Sequence, residues 1–151
     1  MDLRYIIATV HILTFGLGAA SIWMRASALR KLKDETGLND VFFADNLWAL
    51  AAFLWLLTGI WRAFGGLEKG SDFYLGNVAF LVKMSLFILV FVLELRPMIT
   101  LIKWRSRQRK KERIDISVAS SLARTSYIEL LLLIPIVIMA TAMARGIFYQ
   151  S

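Results

Sequence analysis

Apolar residues in this chain fall into four long runs, Tyr5 to Met24, Phe43 to Phe64, Phe73 to Leu93 and Tyr127 to Ala144. A helix needs roughly 20 residues to cross a hydrocarbon core of about 30 Å, and each run is about that long. The pattern predicts an all-α integral membrane protein, one transmembrane domain over residues 1–151 folded as a four-helix bundle. Behind Met24 stand Arg25 and a basic loop rather than a small-residue cleavage site, so the first run reads as a retained span and not a removed signal. Polar and turn-forming residues mark the joints. Gly65, Gly66 and Gly70 end the second helix, Asp45 and Asn46 mark where it begins, and Pro97 is expected to close the third. Pro135 is expected to kink the fourth. Close helix approach is expected at the small-residue segments GLGAAS (16–21), ALAA (49–52) and MATAMA (139–144).

Composition supports this reading. With 58% hydrophobic residues and a mean hydropathy of +0.63, the chain has more apolar surface than a soluble domain of 151 residues buries. The formal charge of +7 would suggest nucleic acid in a soluble protein, but here the bases flank membrane spans, where they set orientation, and no nucleic-acid partner is expected. Arg25, Arg30, Lys31 and Lys33 follow the first span, and nine Lys or Arg lie in the basic loop between Arg96 and Arg124, thirteen in all. The opposite side holds four: Arg4, Arg62, Lys69 and Arg145. Both termini are therefore expected outside, as in a multi-pass protein of a bacterial inner membrane, with the lipid bilayer as principal partner. The basic loop is a solvated topology signal, with anionic lipid as its candidate ligand. The chain has no cysteine, which excludes disulfides, thiolate metal sites, iron–sulfur clusters and covalent haem attachment. No phosphate loop or nucleophile–base–acid set has recognisable spacing.

Polar residues inside the spans are the candidates for chemistry. His11 lies seven residues beyond Arg4 and Lys83 seven beyond Gly76. Each therefore sits about 10 Å below the outer surface, on one level. Arg62, Met139, Met143 and Arg145 lie at the outer ends of the second and fourth spans. The outer set is cationic, its nearest carboxylates being Asp2, Glu68 and Asp72 outside the spans, and this invites an anionic ligand. Lys83 reaching for the surface, or His11 hydrogen bonding across helices, are the plainer alternatives. A second group, Asp45, Glu94, Arg96, Arg124 and Glu129 with Arg25 close by, gathers at the cytoplasmic end and reads as structural ion pairing. Trp23, Trp61 and Trp104 read as interfacial anchors, and Trp55 as core or ligand wall.

The segments HILTFGLGAASIWMRASALR, LTGIWRAFGGLEKGSDFYLGNVAFLVKMSLF and RPMITLIKWR, with the closing IEL and MARG, resemble the bacterial predicted membrane proteins of domain of unknown function 2214. That likeness covers most of the chain and implies four membrane helices. More distantly the chain resembles HemJ-type protoporphyrinogen oxidases, with His11, Lys83, Arg124 and Glu129 in comparable places, though Leu81 and Glu94 stand where those oxidases carry further histidines. The likeness implies a tetrapyrrole, haem b, in the outer half of the bundle and a redox role. His11 would be an axial iron ligand, Met139 or Met143 a second, and Arg62, Lys83 or Arg145 the partners of propionates. Its single histidine excludes bis-histidine ligation within one chain, and a homo-oligomer would supply a second. The competing class is a non-enzymatic accessory or small-transporter subunit that binds an anion or lipid.

The charge asymmetry predicts which side each loop faces. Cysteines placed at Ser117 and Ser151 should respond differently to an impermeant thiol reagent in intact cells, with only position 151 labelled. Labelling at 117 alone would invert the bundle.

Overall fold

A computed structural model describes residues 2–66 and 75–147. Glu68, Lys69, Gly70, Asp72 and the expected start of the third span at Phe73 lie outside the described residues. Among the described residues four long helices carry the fold: α1 (Leu3–Lys31), α2 (Leu38–Phe64), α3 (Val78–Arg109) and α4 (Ala119–Ala144). Each is long and apolar enough to cross a membrane. Their starts are set locally. Asp2 accepts the Arg4 N–H at the head of α1, and Asn77 accepts the N–H groups of Ala79 and Phe80 at the head of α3. Helix α1 packs against α2 and α4, and α4 packs against α3. Side chains join α2 to α3, through Trp55 on Phe87 and Asp45 on Arg105.

The helices outrun the apolar runs at the basic end. Pro97 does not close the third helix; α3 continues through it to Arg109. At 32 residues it is about 48 Å long, well beyond a 30 Å core. Likewise α2 begins at Leu38 rather than near Asp45, and α4 at Ala119 rather than Tyr127. These extensions are amphipathic and have a core of their own, in which Leu29, Leu38, Val41, Leu101, Trp104 and Leu122 pack together. Trp104 is 3% exposed and belongs to that core, a correction to its reading as an interfacial anchor. Trp23 and Trp61, which face outward, keep that reading.

The connections close this core from outside. Thr36 donates its hydroxyl and N–H to Asp34, which holds that carboxyl below the usual range, and the adjoining 3-10 turn spans Glu35–Gly37. Glu35 Oε1 then accepts the Ile114 N–H at 2.8 Å, tying the first connection to the third. Within the membrane part, Gly18 gives the expected close approach: a Cβ there would meet Trp48 of α2 at 3.1 Å. A Cβ at Gly16 would meet nothing within 4 Å, so that glycine faces away.

Candidate functional site

Two polar centres lie in the bundle, one toward each end. The centre at the basic end is built on Arg25, which is 0% exposed and six residues short of the end of α1. Arginine has five N–H donors in a planar fan, and here each meets an acceptor. Nε donates to Ser126 Oγ at 3.1 Å. Nη1 donates to Asp45 Oδ1 at 3.0 Å and Glu94 Oε1 at 2.6 Å. Nη2 donates to Glu94 Oε2 at 2.6 Å and Glu129 Oε2 at 2.9 Å. One residue of α1 is thereby bonded to all three other helices.

A second guanidinium extends the network. Arg105 of α3 donates to Asp45 Oδ2 at 2.7 Å, to Asn46 Oδ1 at 2.6 Å and to the Phe42 carbonyl at 3.2 Å. Its Cζ also lies 4.9 Å from the centre of the Phe42 ring. The expected ion pairing at this end is present, but its membership differs. Arg25 is the hub rather than a neighbour, Arg105 takes part, and Arg96 and Arg124 are exposed.

The second centre, toward the end opposite the basic loops, forms around His11. Its Nδ1 lies 2.8 Å from Thr58 Oγ1 on α2. Thr58 Oγ1 in turn lies 2.7 Å from the Leu54 carbonyl oxygen, a separation that needs the one hydroxyl proton Thr58 has. The proton between Thr58 and His11 must then come from the imidazole. His11 is thus protonated at Nδ1, and in the neutral ring the lone pair falls on Nε2. Trp55 stacks against the ring at 5.8 Å and 29°. Gly59 makes this approach fit, since a Cβ there would stand 3.3 Å from His11 Cε1. Phe15 and Phe87 pack on Trp55 at 5.5 and 5.4 Å, completing an aromatic wall from three helices.

The helix register sets the levels of the other candidates. Lys83 precedes Phe87 by four residues on α3, and Thr58 follows Trp55 by three on α2, so both stand roughly 4 to 6 Å beyond the Trp55–Phe87 contact, away from the basic end. Lys83 and His11 therefore share a level, as expected. Lys83 Nζ also sits over the Phe80 ring at 5.6 Å. Met143 packs with Ala63, Phe80 and Met84, while Met139 is half-buried one turn nearer the His11 level. Arg62 is half-buried and Arg145 is exposed. His11, Arg62 and Lys83 each have an interaction within the protein.

An all-helical bundle of four apolar spans, tied across its interior by a buried arginine with three carboxylates, is a multi-pass membrane protein. The chain belongs to the family of predicted membrane proteins designated domain of unknown function 2214, whose profile matches residues 3–148. No curated protein and no solved structure matches the chain.

The His11 assignment is directly measurable, because the chain has one histidine and a ¹⁵N-histidine spectrum contains one ring. In the protein without added ligand, Nδ1 should carry the ring proton and Nε2 should not, and Thr58→Val should shift the ring toward a mixture of tautomers. Predominant Nε2 protonation in the unsubstituted chain would reverse the hydrogen-bond direction.

Proposed function

We propose that this protein binds a tetrapyrrole, haem b, in the outer half of the bundle, with His11 Nε2 as the iron ligand and a redox role. The hydrogen bond from His11 Nδ1 to Thr58 carries this reading. Metal-ligating histidines commonly donate their other ring N–H to a fixed acceptor, which sets the tautomer and the ring orientation. Thr58 does this for His11 while Trp55 holds one face of the ring. A bound iron porphyrin would supply one-electron chemistry. The chain's own part is to orient the ligand nitrogen, to offer an aromatic wall of Trp55, Phe15 and Phe87, and to place bases near propionates.

Lys83 and Arg62 are the inward-lying candidates for that pairing, and Arg145 stands at the rim. Met139 would be the better candidate than Met143 to help hold the group, since Met143 already packs in the Ala63–Phe80 cluster. The resemblance to HemJ-type oxidases supports the same ligand, with His11 and Lys83 in comparable places.

Absorption spectra of the detergent-purified, haem-supplied protein test the proposal. The unsubstituted chain should show a Soret band that His11→Ala abolishes or shifts, with folding and membrane insertion retained. Thr58→Val should weaken haem affinity by about 10- to 100-fold, the usual cost of losing a ligand's orienting partner. No Soret band in the unsubstituted chain, or a spectrum indifferent to His11→Ala, would remove this function and favour an accessory subunit that binds an anion or lipid.

A further inference from the structure

The Arg25 centre gathers more negative than positive groups. Glu129 on α4 pairs with Arg25 of α1, which also holds Glu94 of α3 and Asp45 of α2, and Asp45 in turn pairs with Arg105 of α3. With all three carboxyls ionised, the two guanidiniums leave one negative charge uncompensated inside the bundle. An uncompensated charge in a low-dielectric interior is expensive.

A separate observation locates where that charge is relieved. Glu129 is 0% exposed, its Oε2 accepts from Arg25, and its Oε1 is buried with no hydrogen-bond partner among the described residues. A carboxylate spreads its charge over both oxygens, so an unpartnered Oε1 suits a neutral acid far better than an ion. Glu94 and Glu129 also accept from the same nitrogen, Arg25 Nη2, at 2.6 and 2.9 Å, which sets their carboxyl groups side by side. Two carboxylates hydrogen bond to one another only when a proton lies between them.

We propose that Glu94 and Glu129 share one dissociable proton, which makes the Arg25 centre a proton-binding site within the membrane bundle. Glu94 is the entry. Its side chain retains 14% accessibility whereas those of Glu129 and Arg25 have none. A proton from water at the basic end binds a Glu94 carboxylate oxygen and passes to Glu129, and release follows the reverse path. Uptake brings the centre to neutrality, and release leaves it one charge negative. The hold of α4 on the rest of the bundle is then a function of pH at that face. This site is independent of the His11 centre, sharing no residue with it.

Infrared difference spectroscopy on the full chain in lipid vesicles reads this proton directly. At neutral pH exposed carboxyls are ionised, so a carbonyl stretch of a protonated acid, shifted by D₂O and lost on raising the pH, reports the buried one. Glu129→Gln or Glu94→Gln should remove the band, whereas Asp115→Asn, at an exposed carboxyl outside the network, should retain it. Thermal stability should agree: a proton held in the folded state stabilises it at low pH, and that contribution is lost as the pH rises through release. The decline should be absent in Glu129→Gln. No protonated-acid band in the unsubstituted chain at neutral pH, or a band surviving in both glutamine variants, overturns the proposal. The first of these readouts needs no variant to fold.

Discussion

Every other feature of the bundle is arranged around the burial of one guanidinium. Arg25 is excluded from solvent, yet each of its five N–H groups has an acceptor, and the acceptors come from α2, α3 and α4. Lipid offers no hydrophobic force to sort helices, so directional polar contacts have unusual influence on which helix lies where. A buried ion pair repays its desolvation only when its geometry is good, and it contributes uniqueness of arrangement more surely than stability. Sliding or rotating any one helix would strand a carboxylate or a donor. The network therefore defines a register from which the positions of His11, Trp55, Phe87 and Lys83 follow.

That register divides the molecule into two unlike ends. The basic end packs as a small soluble domain does, with Leu101, Trp104 and Leu122 enclosed beyond the apolar spans. The outer end relies on rings: Trp55 meets His11, Phe15 and Phe87. Rigid packing below and an aromatic wall above suit a site whose ligand nitrogen must be held in orientation. They also separate the iron-ligand candidate from the proton-binding carboxyls, so each can be altered without removing the other.

The spans, their number and the shared level of His11 and Lys83 were legible in the sequence, because hydropathy and helical rise depend on local composition alone. Helix ends were less so. Pro97 looked like a terminator, but Pro97, Leu101 and Trp104 continue a buried stripe at four- and three-residue spacing, and that packing outweighs the cost of the proline. The ion cluster was located by its residues yet not by its centre. Arg25 stands beside a basic loop and was counted with it, although Thr14, Gly18, Ser21 and Arg25 form one small and polar stripe along α1 that points inward. Removing Arg25 and Arg105 from the flanking bases leaves eleven against four.

Equilibrium unfolding in mixed micelles, compared between Arg25→Met and the same substitution combined with Glu94→Gln and Glu129→Gln, measures the role of the buried guanidinium. Arg25→Met alone strands buried carboxylates and should cost about 3–5 kcal/mol, while the triple variant, which neutralises two of them, should recover a large part of that loss. An Arg25→Met protein as stable as the unsubstituted chain would contradict the dependence of the bundle on this residue.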